Sequence, residues 1–497
     1  MKPTQKKILA TLSDIKRHFA ENEVPVYFLS ASNFNMLGMH DWVRNWLNIN
    51  LLDCFDGGHP QVLCVADNHQ QVFQGIEDIN RYLLNSSMVR SHLEQAKEKN
   101  GQAVFLFFDE PIEALCAALG LHILLPEHGL VREIDSKIVT TEIGNEAGVY
   151  SVANALASVS CYAELQEIAR DAKLGSRLVV QTAYGDSGKT TFFIDSESDY
   201  QVVAEQIESQ PKVKVMRRVN CTGAAIEACT TRWGTFVGPL LTELIGINAL
   251  TPYAGGWCGN ELYQEAFSSE VRLQVLQKTR AMGDALYQRG YRGYFELDYL
   301  LDLDSGELYL GELNARLTGI SAMTNLSDFS VTHIPLFLFH LLEYDAHIEL
   351  GLEVNAFNQS VLEQGAMGIA AQVILKYTDE ELAIVTQAPV SGVYELDSKG
   401  QLSLKKAGYS RREAMAANQV YLMRIMQQGD YAYHGGDLAI MFLNQVIREA
   451  QGQLNDMGTQ FVYALQQLFQ YRPLNQHERS LVELSNNPAS MKSGRAQ

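Results

Sequence analysis

Several large protein classes are excluded by what this sequence has little of. Lys and Arg total 39 against 58 Asp and Glu, for a formal net charge of −19 and a pI near 5.1. That deficit argues against nucleic acid or an anionic membrane as partner, since both are held by basic surfaces. Cysteine is sparse and odd in number: seven, at 54, 64, 116, 161, 221, 229 and 258, with no CxxC spacing. Neither a zinc site nor a disulfide framework is expected, and a reducing cytoplasm is the natural setting. No apolar run reaches the roughly 18 residues of a membrane span. The opening segment MKPTQKKILATLSDIKRHF is interrupted by charges and does not read as a signal peptide. No G-x-G-x-x-G is present, so a dinucleotide fold has no fingerprint.

What is present is alternation of strand and helix patterns. Ile8, Leu9, Leu12, Ile15 and Phe19 have helical spacing and predict a surface helix over 1–22. PVYFLSA (25–31), QVLCVAD (61–67) and QAVFLFFD (102–109) read as apolar strands, and HILLPEHGL (122–130) adds a strand and turn. Met36, Leu37, Trp42 and Trp46 predict a helix packed on these strands rather than a ligand loop. The alternation predicts an open, parallel, doubly wound unit. Beyond residue 333 come an apolar helix, several short strands, a helix near 450–470 and a polar tail. His434, in YHGGD, reads as a turn residue.

Two central stretches carry chemistry. RLVVQTAYGDSGKTTFFI (177–194) reads as strand, glycine loop, strand. Gly185 and Gly188 let backbone N–H groups approach phosphate oxygens, and Ser187, Lys189 and Thr190 add donors. It is not a Walker A loop, because its glycines are too close and a strand follows. Taken alone it is equally a plain β-hairpin. YRGYFELDYLLDLDSGELYLGELNARLTG (291–319) reads as two strands joined at Asp304-Ser305-Gly306. Glu296 and Asp298 leave the first strand on one face, and Glu312, Asn314 and Arg316 share a face of the second run. A hairpin registered on that turn brings Asp298 opposite Glu312 and Asn314. These are hard oxygen ligands of the kind Mg²⁺ shares with nucleotide phosphates. Tyr299, Leu301, Leu308, Leu310 and Leu313 are left for the core. An edge hairpin with a polar outer face is the plainer alternative.

Asp298, Glu312, Asn314 and Arg316 resemble the metal-binding end of ATP-grasp enzymes, in the group with a biotin-carboxylase-like layout. The resemblance covers roughly residues 100–325 by order of motifs. It implies an α/β (α+β) fold with a pre-ATP-grasp domain over 1–135, a lid subdomain with the glycine flap over 136–215, and a core with the metal site over 216–345. A C-terminal β-rich subdomain over 346–475 and a tail from 476 complete it. It implies ATP and Mg²⁺ as cofactors, with Mn²⁺ as a substitute, and metal ligation by Asp298, Glu312 and Asn314. It implies nucleotide contacts from Lys137, Gln181, Gly185, Ser187, Gly188, Lys189, Thr190 and Arg217. Catalytic roles fall to Arg316 and Lys189. The family usually has Lys where this chain has Gln181. Lys137, Lys189 and Arg217 are alternatives for the missing charge, and the sequence does not choose among them. After Arg316 the chain runs LTGISAMTNL, without the segment that handles bicarbonate and biotin in biotin carboxylases. The activity implied is carboxylate–amine ligation through an acyl phosphate, acting on small-molecule acids and amines such as amino acids, in a cytoplasmic enzyme. Homodimers are common in such folds. A carboxylase or kinase on the same scaffold, or a non-catalytic nucleotide-binding protein, are the other readings.

Overall fold

A computed structural model describes residues 6–65, 73–185, 190–410, 416–449, 452–476 and 478–479. The strand Val26–Ser30 is buried along its whole length because both of its faces are covered. Val26 and Phe28 enter one apolar cluster, and Tyr27 and Leu29 the other. It centres a five-stranded parallel sheet in the order Val62–Cys64, Trp46–Asn50, Val26–Ser30, Gln102–Phe105, His122–Ile123. Helices Ile76–Asn85 and Glu110–Leu119 pack through Leu83, Leu84, Ile112 and Cys116 on the second face. This is the open parallel unit that the alternation predicts.

Two local expectations fail here. The helix over 1–22 begins only at Leu12, where Thr11 and Asp14 form a reciprocal capping box. Lys7–Leu9 is instead a strand paired in parallel with Ile348–Leu350. The expected helix carrying Met36 to Trp46 is also absent. Phe34–Met36 and Met39–Asp41 are single 3₁₀ turns, and Trp46–Asn50 is a strand. Asn45, at φ 64°, turns the chain out of helical geometry.

A four-stranded antiparallel sheet follows, in the order Asn154–Ala157, Val213–Arg217, Leu178–Gln181, Thr191–Ile194. Helices Tyr162–Asp171 and Glu197–Glu208 cover one face, meeting Leu178, Val180, Phe192, Ile194, Val213 and Val215. Strand alternation sends Val179, Gln181, Phe193, Lys214 and Met216 to the other face.

The largest element is a ten-stranded antiparallel sheet. Its order is Leu308–Asn314, Gly293–Asp302, Cys221–Thr231, Gly234–Ile245, Trp257–Leu262, Ala370–Lys376, Asp437–Leu443, Gln419–Arg424, Gly392–Leu396, Leu402–Ala407. The sheet is continuous across residue 345, because Trp257–Leu262 pairs with Ala370–Lys376. Helix Ser269–Gln288 packs Val275, Met282 and Leu286 against Phe295, Leu297 and Leu313 at the hairpin end. Gly290, at φ +93°, takes the chain out of that helix. Among the described residues no helix is long and apolar enough to cross a membrane.

Candidate active site

The hairpin Gly293–Asp302 and Leu308–Asn314 turns where Gly306 adopts φ +73° and its N–H reaches Asp302 O at 2.8 Å. Phe295, Leu297 and Tyr299 fill the core, so Glu296, Asp298 and Leu300 emerge on the other face. A regular second strand cannot bury Leu308, Leu310 and Leu313 together while also presenting Glu312 and Asn314. The structure resolves this with a β-bulge: Tyr299 pairs with Leu310, but Asp298 pairs with Glu312 and Glu296 with Asn314. Gly311 is the extra residue, and it flips the strand's parity. A Cβ there would stand 3.0 Å from Asp298 O. Asp298 and Glu312 thus face each other directly, with Asn314 Nδ2 3.4 Å from Asp298 Oδ2.

Other elements close around this pair. Helix Lys137–Glu146 begins with its lysine pointing inward, only 4 % exposed. Lys137 Nζ lies 2.7 Å from Glu312 Oε1 and donates to Gly185 O at 2.7 Å. One cation therefore joins the hairpin to the flap. Gly185 sits at φ +142°, and a Cβ would meet Thr190 at 2.3 Å, so that end of the flap accepts only glycine. Ser187, Gly188 and Lys189 lie outside the described residues. Gln181 donates from Nε2 to Thr191 Oγ1 at 3.1 Å. Arg316 stands with Nε 3.7 Å from Asp135 Oδ1 and its guanidinium 4.6 Å over the Phe107 ring. Arg217 is exposed and projects from the strand face opposite Lys214. It lines a cavity of about 840 Å³ at the hinge, with Arg177, Phe193, Arg218, Asp302 and Asp304.

Three side chains here escaped the sequence reading. Strand Cys221–Thr231 sets Glu227 beside Glu296, fully buried, where it accepts from the Tyr294, Ser321 and Thr324 hydroxyls. Glu243 rises from Gly234–Ile245 into space left by Gly223, where a Cβ would meet its Oε2 at 2.1 Å. Lys214 is the third. The available signal was a charge set among apolar strand residues, in AAIEACTT, GPLLTELI and VKVMRRV.

Crowding of acids governs the electrostatics. Burial, then the charges of Glu296, Glu243 and Glu312, raises Asp298 well above the usual carboxylate range, with Arg316 opposing. Glu296 is pushed up to about 8 by burial and by Glu227. Glu243 is pushed up to about 7 by burial and by Glu312, against Arg448. Burial raises Glu227 to about 7 despite its three hydroxyl donors.

Among the described residues no group of three His, Cys, Asp or Glu side chains stands close enough to hold a metal ion. Asp298 and Glu312 nevertheless supply two facing carboxylates, and the Asn314 amide adds an oxygen. A Mg²⁺ shared with phosphates needs only one or two carboxylates, and a cation relieves the repulsion that raises these acids. The donor set fits such an ion.

No sequence-family model matches the chain, and no curated protein matches it. Solved structures do. The biotin carboxylase–β,γ-ATP complex of Campylobacter jejuni superposes at TM-score 0.56 and 11% identity, covering 95% of this chain and 97% of that one. The biotin carboxylase domain dimer of Hydrogenobacter thermophilus 2-oxoglutarate carboxylase, complexed with MgADP, ADP and bicarbonate, gives 0.55 at 9% identity, over 94% and 95%. The phosphoribosylamine–glycine ligase of Thermotoga maritima gives 0.53 at 14% identity, over 90% and 98%. With the three sheets and the acid-bearing hairpin arranged in this order, the chain has the ATP-grasp fold in a biotin-carboxylase-like layout.

Proposed function

We propose that this protein is an ATP- and Mg²⁺-dependent carboxylate–amine ligase that forms an amide or peptide bond through an acyl phosphate. The observation that carries the reading is the facing pair Asp298 and Glu312, with Lys137 bound to Glu312 and to the flap at once. A carboxylate normally paired to lysine is released when phosphate takes that lysine, so nucleotide and metal fill the cleft together. Asp298, Glu312 and Asn314 would hold the ion, which supplies charge neutralisation at the β- and γ-phosphates. The hinge cavity beside Arg217 and Arg218 suits the nucleoside end. Arg316 holds the substrate carboxylate with its fixed fork. A carboxylate oxygen attacks the γ-phosphorus as the bond to ADP breaks. The amine then attacks the acyl carbon, phosphate leaves with the C–O electron pair, and the amine proton passes to phosphate or water. The flap from 184 to 191, with Lys189, Ser187 and Gly188, closes over the triphosphate and keeps water from the acyl phosphate.

The test is ADP and phosphate release from MgATP with pools of amino acids offered as acid and amine together. Release that requires both, with a product lighter than their sum by one water, is the expected result. Release with an acid alone and a stable phosphorylated product would replace this reading with a kinase.

A further inference from the structure

Lys214 is the most anomalous charge in the molecule. It sits in mid-strand in Val213–Arg217, on the face of the four-stranded sheet turned away from helices Tyr162–Asp171 and Glu197–Glu208, and is completely buried. Its Nζ donates to Ser151 Oγ at 3.0 Å, and no carboxylate lies within ion-pair distance among the described residues. A buried ammonium needs a counter-charge, and one hydroxyl does not provide it. Lys137 disfavours its charge further, while Glu312 favours it, so all three lie within one another's field. Burial, the leading cause, brings Lys214 down to about 8.

Its position is specific. In the antiparallel register Lys214 pairs directly with Gln181. Directly paired residues lie on one face with Cβ atoms about 5 Å apart, so either can reach the same point above the sheet. Gln181 turns its Nε2 to Thr191, and its Oε1 is buried with no hydrogen-bond partner among the described residues. Two buried lysines, Ser151 and Gln181 thus stand on the Glu312 side of the cleft, and Lys214 is the one of the two lysines without a carboxylate at ion-pair distance among the described residues. An anion is the component that would complete it.

We propose that Lys214, held by Ser151, is a phosphate-binding residue of the nucleotide site and supplies from the neighbouring strand the charge that Gln181 lacks. This rests on the nucleoside-triphosphate reading of the cleft and adds a residue to it. Lys137 approaches from the hairpin side of the cleft and Arg217 projects from the opposite strand face, so neither stands beside Gln181 as Lys214 does.

Calorimetry with MgATP and with adenosine tests the assignment. The wild type is expected to bind MgATP more tightly than adenosine. Lys214→Met is expected to lose about 30-fold in MgATP affinity, as for one charged hydrogen bond, with adenosine affinity unchanged. The exchange variant Gln181→Lys/Lys214→Gln is expected to recover MgATP binding to within about five-fold of wild type, because paired positions reach the same point. A purely structural lysine predicts no such recovery. If Lys214→Met fails to fold, the exchange variant decides alone. Wild-type MgATP affinity in Lys214→Met, or an exchange variant that folds without binding MgATP, overturns the assignment and leaves the nucleotide reading standing. A wild type that binds no MgATP overturns both.

Discussion

Glu312 is where the hairpin, the first lysine of helix Lys137–Glu146 and the proposed ion meet. Glu312→Gln keeps the side chain's size and removes its charge. It is expected to lower ADP release by at least about 100-fold, as for loss of transition-state charge stabilisation. Far-UV circular dichroism should match wild type, with a lower thermal midpoint from the counter-charge that Lys137 loses, and wild-type-like turnover would remove Glu312 from the metal set. His340 makes a different claim, on stability. It is fully buried, accepts the Tyr294 N–H at Nδ1 (3.0 Å), and lies with Nε2 2.6 Å from Leu124 O. Burial brings it down to about 4 from an ordinary 6.5. The fold holds it neutral, so its contribution is complete above pH 6.5 and is lost as pH falls from 6.5 to 4. The loss is roughly 3 kcal/mol across that window. Urea midpoints at pH 7 and pH 4.5 should diverge more for wild type than for His340→Gln, and parallel pH profiles would refute the assignment.

At the scale of elements, the hairpin rewards close attention to parity. Leu308, Leu310 and Leu313 read as core and Glu312 and Asn314 as site, yet no regular strand satisfies both. The bulge at Gly311 does. Deleting Gly311 leaves a regular strand in which Leu308, Leu310 and Leu313 share one face and Glu312 and Asn314 the other, so Tyr299 still pairs with Leu310 and Asp298 with Glu312. The deletion variant should therefore fold and keep MgATP-dependent ADP release. Loss of release in a folded variant would mean that the extra twist of the bulge, and not the pairing alone, aims the acids. The acids and the turn were legible in the sequence because strand alternation and turn chemistry are local properties. The bulge was not, since a glycine in an extended run carries no mark of register. Trp46–Asn50 was misread because its tryptophans also suit a helix, and only pairing with Val26–Ser30 and Val62–Cys64 makes it a strand. Lys214 stood out only as a charge in an apolar run: its meaning lies in its partner Gln181, 33 positions earlier, and that pairing belongs to the sheet.

At the scale of the molecule, the ten-stranded sheet carries the site at one end and grips the N-terminal parallel unit near the other. The grip is Arg424. It is 4 % exposed and donates to Asp56 Oδ1 at 2.8 Å and to Asp53 O at 2.7 Å. Ser391 joins it, receiving the Arg424 N–H at 2.9 Å while its own hydroxyl reaches Cys54 O at 2.5 Å. The segment 53–56 is thereby fixed between the two units, with Asp56 at a φ of 50°. Arg424→Met preserves the packing of the stem but strands the Asp53 carbonyl, since a thioether donates nothing. The expected cost is about 2–3 kcal/mol, drawn from the docking of the parallel unit rather than from either core. Because one face of the parallel unit has an apolar cluster of its own, weakening its attachment should split unfolding into two steps. Calorimetry of Arg424→Met should show an early transition ahead of the main one, and limited proteolysis should cut first near residues 53–59. A single transition at the wild-type midpoint would mean that the apolar cluster joining Val26, Phe28 and Trp46 to Phe236 and Phe337 holds the two units together without the arginine.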